Sequence, residues 1–353
     1  MISDIRLQQF RSYMDETFEC SPSVNIIVGP NASGKTNLLE AILVVARGSS
    51  YRAKDQELVA FEKPWARLDA HVGNDLRTVK IVSEPQPAKT YEFDGKVYKR
   101  LTQQHTLPVV LFEPNHLTLL SGSPDQRRNY LDDLLEQTIP NHAAMRRNYR
   151  RVLAQRNALL KRAHKPNNEE LFPWNLRLSE LGALLARRRA ELAATIDSLV
   201  GDHYRALAKA TTKVRLEYDA QFPLESYESR LLEKLESNLA VDVLRGFTSS
   251  GPHREDFEVL FDGHIAEETA SRGETRTFVL ALKIIELEIL KQARDVPPLL
   301  LLDDVFSELD GARRHGLTDQ LKLYQTFITT TDADIVLKNF MAKARIIPIQ
   351  QDR

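Results

Sequence analysis

The sequence predicts an α/β domain split by a mainly helical insertion, and three observations carry that expectation. Residues 24–42 read VNIIVGPNASGKTNLLEAI: a short apolar strand, a glycine-bounded loop, then apolar residues at helical spacing. Residues 299–310 read LLLLDDVFSELD, a leucine strand that ends in paired aspartates. Between them, residues 124–210 turn almost wholly helical and rich in Leu, Ala and Arg. Residues 1–112 and 246–353 therefore form one split domain, with residues 113–245 as the insertion.

Taken in order, residues 5–10, 68–72 and 77–82 read as sheet strands. Asp94-Gly95 and Asp262-Gly263 each sit between short strand-like runs and signal hairpin turns, since both positions of such a turn need positive φ. Residues 109–112 form an apolar strand, and Pro114 opens a short helix. Two long helices cover residues 141–164 and 174–209, with a turn at residues 165–173, KPNNEELFP. Each spans on the order of 35–50 Å at about 1.5 Å per residue, an antiparallel arm or lid. Residues 213–218 are a strand, 224–245 and 278–290 helical, 299–302, 326–329 and 346–349 strands, and 310–323 helical.

The formal net charge of -1 advertises no nucleic-acid partner, so any such contact must come from a local patch. The single cysteine, Cys20, excludes an internal disulfide and a multi-cysteine metal site, and suits a reducing compartment. There is no signal-peptide pattern and no apolar run of about 18 residues, so a cytoplasmic chain without a membrane partner is expected.

Gly29, Pro30, Asn31, Ala32, Ser33, Gly34, Lys35 and Thr36 fit the G-x-x-x-x-G-K-[ST] phosphate loop, with Asn37 next on the helix. Glycines let backbone N–H groups close round phosphates, and the helix points its positive dipole end at them. Lys35 is expected to bridge the β- and γ-phosphates of a nucleoside triphosphate, and Thr36 to ligate Mg²⁺. Asp303, at the end of the leucine strand, is the expected Mg²⁺-associated carboxylate, and Asp304 the group that polarises the attacking water.

Residues 271–276, SRGETR, place Ser271 and Gly273 where a helix N-terminus meets an anion, although the same residues make an ordinary cap. Arg127, Arg128, Arg146, Arg147, Arg150 and Arg151 are candidate DNA contacts; Arg156, Lys161, Arg162 and Lys165 extend the run, and Arg187, Arg188 and Arg189 follow on the next helix. The competing reading is a solvated or self-paired arm, with Glu169, Glu170, Glu180 and Glu191 nearby. No base-reading pattern is present, which favours backbone or shape recognition.

In this order, these elements resemble the RecF family, recombination-mediator ATPases of the ABC/SMC type, nearly end to end. The resemblance rests on IRLQQFRSY (5–13), GPNASGKTN (29–37), SYRAKDQELVAF (50–61), VVLFEPNHLTLLSGSPDQRRNYLD (109–132), SGPHREDFEVLFDG (250–263), SRGETR and LLLLDDVFSELD. The LLSGSPDQRRNYLD and SGPHRED blocks are more specific to that family than the phosphate loop. The resemblance implies an ABC/SMC-type ATPase head, a weak DNA-dependent ATPase that uses ATP and Mg²⁺. It also implies an ATP-dependent homodimer, with each nucleotide between one subunit's phosphate loop and the partner's Ser271 and Gly273. Asp304 stands where most ABC-type relatives carry glutamate, which implies slow hydrolysis; Ser307, Glu308, Leu309 and Asp310 match a dimer-contacting loop. Duplex DNA near gaps and single-strand junctions, RecO and RecR as partners, and help in loading RecA follow from the same resemblance. Three positions depart from the wider pattern: Glu274 replaces a glutamine, Thr329–Asp332 lack the switch histidine, and Glu113 stands nearest the expected Q-loop glutamine. The rival readings are an SMC-like DNA clamp without a repair role and an ABC transporter ATPase subunit.

Overall fold

In the computed structural model, β1 (Ile2–Phe10) buries Ile5 and Leu7 on one face and exposes Arg6 on the other, the period of two that a half-buried strand imposes. There follow β2 (Tyr13–Glu19), β3 (Val24–Val28), helix α1 (Lys35–Arg47), β4 (Trp65–Val72), β5 (Asp75–Val82), β6 (Ala88–Phe93), β7 (Lys96–Tyr98) and β8 (Val109–Phe112). Then come α2 (Pro124–Thr138), α3 (His142–Leu160), α4 (Asn168–Ala208), β9 (Val214–Asp219), α5 (Tyr227–Ser237) and α6 (Leu239–Arg245). The chain continues through β10 (Asp256–Phe261), β11 (His264–Ile265), α7 (Ala266–Thr269), α8 (Arg272–Ala293), β12 (Leu299–Asp303), β13 (Thr326–Thr330) and β14 (Arg345–Pro348). The structure describes residues 1–162, 164, 166–305, 311, 314, 318, 323–332 and 344–350.

The first unit comprises residues 1–117 and 286–353. It holds a 6-stranded antiparallel sheet, order β2-β1-β4-β5-β6-β7, and a 5-stranded parallel sheet, order β14-β3-β13-β12-β8. β12 and β13 are buried along their whole length, which is why β12 reads as an unbroken leucine run rather than an alternation. Leu38, Ile42 and Val45 of α1 join Leu7 and Leu68 of the antiparallel sheet to Ile27, Leu301 and Phe327 of the parallel one in a single core. Each such side chain contributes roughly 1.5–3 kcal/mol by burial, so the helix that follows the phosphate loop is anchored on both sides.

The second unit comprises residues 118–285. α4 packs against α3 and α5 around Met145, Tyr149, Leu178, Leu185 and Leu231. A 3-stranded sheet, order β11-β10-β9, completes the unit. Here the observed division departs from the expected one: residues 246–285 belong with the insertion rather than with the split domain. β10 pairs along its length with β9, from Asp256 opposite Asp219 to Phe261 opposite Val214, and that pairing holds the segment in this unit.

Other differences are local. The expected turn at residues 165–173 is shorter, because Asn167 and Glu170 form a reciprocal capping box that starts α4 ahead of Pro173. Pro173 lies inside the helix, where it forfeits one backbone hydrogen bond, while buried Leu171, Asn175 and Leu178 keep the segment helical. The helical stretch 224–245 breaks between α5 and α6 at Asn238. Both hairpins have positive φ at each turn residue, Asp94 and Gly95 in one, Asp262 and Gly263 in the other. Of the expected helix 310–323, positions 311, 314 and 318 are helical and most of the remainder lies outside the described residues, as do Ser307, Glu308, Leu309 and Asp310.

Candidate nucleotide site

The phosphate loop connects β3 to α1. Gly34 caps α1 at φ 106°, a conformation that costs an L-residue strain and glycine nothing. A Cβ there would come within 3.0 Å of the Tyr13 hydroxyl oxygen, which donates to the Gly34 carbonyl at 2.9 Å. At Gly29 a Cβ would stand 2.6 Å from the Ile349 carbonyl oxygen, so glycine here is also required for packing beside the end of β14. No side chain caps α1 and its first turn carries no acid, leaving its leading N–H groups and positive dipole end to the loop.

Lys35 is buried, and its Nζ donates to the carbonyls of Gly29 at 3.0 Å and Pro30 at 2.9 Å. Among the described residues no carboxylate pairs with this ammonium. The buried Ser33 hydroxyl likewise has no hydrogen-bond partner among them. A buried cation held by neutral carbonyls, a spare hydroxyl and an open helix N-terminus are a donor set that fits a polyphosphate.

Asp303 closes the site from β12 and is itself buried. Its Oδ1 accepts from the Thr36 hydroxyl at 3.0 Å and the Thr329 hydroxyl at 2.8 Å, and its Oδ2 from the Tyr51 phenol at 3.0 Å. Thr36 and Asp303 thus present adjacent hard oxygens, the donor type that Mg²⁺ takes. Asp304, at φ 52°, gives its N–H to the Thr329 hydroxyl at 2.8 Å. A non-glycine residue in this left-handed region is strained, and Thr329 fixes it there.

Three contributors escaped the residue-by-residue reading. Burial, then the charge of Asp303, pushes the Tyr51 phenol up, so Tyr51 remains a donor at neutral pH. Glu40, buried on α1, accepts from Arg11 at 2.9 and 3.0 Å and from Arg52 at 2.9 Å, and also from Ser50. Burial alone would raise its carboxyl; the donors outweigh that and hold it below the usual range. Arg52 also donates to Asn37 at 2.7 Å, tying the SYRAKDQELVAF segment to the start of α1. Thr329, in the stretch that lacks the switch histidine, orients both Asp303 and Asp304.

Ser271 and Gly273 lie in the second unit. The Ser271 hydroxyl accepts from the Glu274 N–H at 3.2 Å, and Glu274 accepts from the Ser271 N–H at 2.8 Å. Glu274 therefore completes a capping box, a local reason for glutamate in place of glutamine.

The candidate DNA contacts separate into two kinds. Arg127 is buried against Asp256 and the carbonyls of Leu120 and Gly122, and Arg146 against Asp132, Asp133, Glu136 and Asn129. Both are corrected to internal ion pairs, which leaves neither guanidinium facing solvent for a phosphate. Arg156, also inside the basic run, is wholly buried on Asp242 and Thr248. Arg128 is largely covered, donating to Asp125 and to the Glu255 carbonyl. Arg147, Arg150 and Arg151 are exposed on α3. Lys165 lies outside the described residues. Among those residues no helix is long and apolar enough to cross a membrane.

The RecF/RecN/SMC N terminal domain family matches residues 1–352. The DNA replication and repair protein RecF of Heliobacterium modesticaldum is 35% identical over 99% of this chain and 97% of its own length. That of Moorella thermoacetica is 33% identical over 100% and 95%. Among solved structures, the recombination mediator protein RecF-ATPrS in the RecFOR pathway superposes with TM-score 0.88 at 27% identity, covering 99% of this chain and 96% of the other. RecF-ATP from the same pathway superposes with TM-score 0.84 at 28% identity, covering 94% and 92%. An SMC head bound to the C-winged helix domain of ScpA, at TM-score 0.57 and 17% identity over 98% and 93%, shares the fold alone. With a phosphate loop, a strand-end aspartate beneath it and near-complete overlap with these relatives, the chain belongs to the RecF family of SMC-like DNA replication and repair ATPases.

Proposed function

We propose that this chain is an ATP-dependent DNA-binding protein of recombinational repair, working in the cytoplasm as a weak, DNA-dependent ATPase. The observation that carries the reading is the convergence of Lys35, Thr36 and Asp303 at one loop. Residues 29–37 hold the triphosphate, with Lys35 against it, and Thr36 and Asp303 hold Mg²⁺, which when bound neutralises charge on the phosphates. Asp304 orients the attacking water, and its short side chain on a strained backbone keeps hydrolysis slow. Ser271 and Gly273 of one subunit complete the site of the other, so that the ATP-bound form is a homodimer.

In this reading the dimer engages duplex DNA near gaps and single-strand junctions through exposed Arg147, Arg150 and Arg151, and hydrolysis releases it. Similar RecF proteins are described within the RecFOR pathway, which supports RecO and RecR as partners and help in loading RecA as the outcome. Light scattering with ATP and Mg²⁺ tests the composite site: Ser271→Arg should bind nucleotide as a monomer and fail to dimerise. Full dimerisation of Ser271→Arg would remove the shared-site arrangement.

A further inference from the structure

The SGPHRED segment is one of two blocks more specific to the family than the phosphate loop, and the nucleotide site does not use it. In the structure it is a loop pinned from nearly every side. Thr248 gives its N–H and hydroxyl to Asn157 at 2.8 and 2.7 Å, and Ser249 gives both to Asp242 at 3.0 and 2.6 Å. Gly251 sits at φ 126°, a conformation only glycine takes readily, and a Cβ there would come within 2.9 Å of the Tyr149 hydroxyl. His253 is held between that hydroxyl at 2.7 Å and the Thr248 carbonyl at 3.1 Å. Glu255 is buried, accepting from Tyr218 at 2.6 Å and the Gln221 N–H at 2.9 Å, and also from Tyr227.

One side chain of the loop turns outward. Arg254 is exposed and lies over the Phe247 ring, 4.8 Å from its centroid, and among the described residues no carboxylate or carbonyl accepts from its guanidinium. Around it the charge is positive. Arg128 donates to the carbonyl of the adjacent Glu255, and Arg150 reaches Asn129, the next residue after Arg128, at 3.4 Å. Asp125 is the acid in this patch; Arg128 first, then Arg150 and Arg254, hold its carboxyl below the usual range.

We propose that this loop is a rigid mount that presents Arg254 to a backbone phosphate of duplex DNA, continuous with Arg150 and Arg147 on α3. The inference rests on the DNA-binding reading above and adds a residue and a loop to it. A fixed backbone removes much of the ordering cost that a mobile surface arginine carries into binding. The guanidinium fork matches two phosphate oxygens, and resting on Phe247 keeps its face oriented while its edge stays open. A guanidinium set against a backbone phosphate positions the protein without reading sequence.

The test measures affinity of the full chain, with ATP and Mg²⁺, for a fluorescent gapped duplex across a salt series. Arg254→Ala should bind about tenfold more weakly, with a salt slope smaller by about 1, while nucleotide affinity and thermal midpoint stay at wild-type values. Arg254→Lys should recover part of the loss and Arg254→Gln none, which separates charge from folding should the alanine variant be less stable. Arg230→Ala, removing an exposed arginine paired with Glu233 on α5, should change nothing. Unaltered affinity and slope for Arg254→Ala, with wild-type protein binding DNA, would overturn the proposal and turn the patch toward an acidic protein surface. Failure of the wild-type chain to bind any duplex is a different result, and would remove the DNA-binding reading itself.

Discussion

The Thr36 hydroxyl donates to Asp303 Oδ1 across 3.0 Å, although the two residues stand 267 positions apart in the chain. Pairing of β3 and β12 on either side of β13 brings them together, setting the start of α1 against the end of the leucine strand.

From that pair follows a separation between magnesium and nucleotide. Asp303→Asn keeps the shape and removes the charge, so nucleotide binding should lose its dependence on Mg²⁺ while binding in chelator persists. Lys35→Met removes a charge-assisted contact worth roughly 1.5–3 kcal/mol and should weaken binding in both conditions. Equilibrium titration of a fluorescent nucleotide with and without Mg²⁺ distinguishes the two. Equal loss in both conditions for Asp303→Asn would contradict the assigned role.

Asp304→Asn should bind ATP and accumulate the dimer, because attack on the γ-phosphate loses its orienting carboxylate. Size-exclusion chromatography after ATP addition reads the trapped species directly. Normal turnover by this variant would show that another group orients the water.

A pH dependence is built into the second unit. Tyr149 and the Thr248 carbonyl are placed for a neutral His253 that accepts at Nδ1 and donates from Nε2. Burial, then the nearby Arg254, Arg128 and Arg189, lowers its pKa from 6.5 to about 4. Between those values the unfolded chain takes up a proton that the folded chain does not. The contribution is therefore complete above about pH 6.5, falls as the pH drops, and is lost at about pH 4, about 3 kcal/mol in all. Urea unfolding at pH 7 and pH 5 should show a larger loss for wild type than for His253→Gln. Equal losses would remove His253 as the titrating group.

Asp242 and Arg156 form an ion pair with neither side chain exposed. Asp242→Ala would strand a buried guanidinium and should cost about 3–5 kcal/mol. The midpoint of urea unfolding, followed by helical circular dichroism, is the measurement. A change below about 1 kcal/mol would mean that the loss is absorbed elsewhere.

What the sequence made legible was what is contiguous in it. The phosphate loop is a local arrangement whose strand, glycines, lysine and helix all lie within one short stretch, and Asp303 is marked by the leucine strand before it. Tyr51 and Thr329 carry no such local sign, since only tertiary pairing delivers them to Asp303. The fate of the arginines was partly written in spacing: Met145, Tyr149, Val152, Arg156 and Leu160 are all buried on α3, and Arg146 and Arg156 fall in or beside that stripe. Counting arginines as a basic run ignored the face on which each one falls. The domain boundary was misplaced for a similar reason, because β10 resembles any hairpin strand until its partner β9 is known.

The central claim, a DNA-responsive ATPase whose site is shared between two subunits, is tested most directly by ATP turnover per subunit against protein concentration, with and without gapped duplex. Turnover that climbs with concentration and rises again with DNA is the predicted result. Flat turnover that ignores DNA would contradict the shared site and the repair reading together, leaving Lys35, Thr36 and Asp303 as a nucleotide site alone.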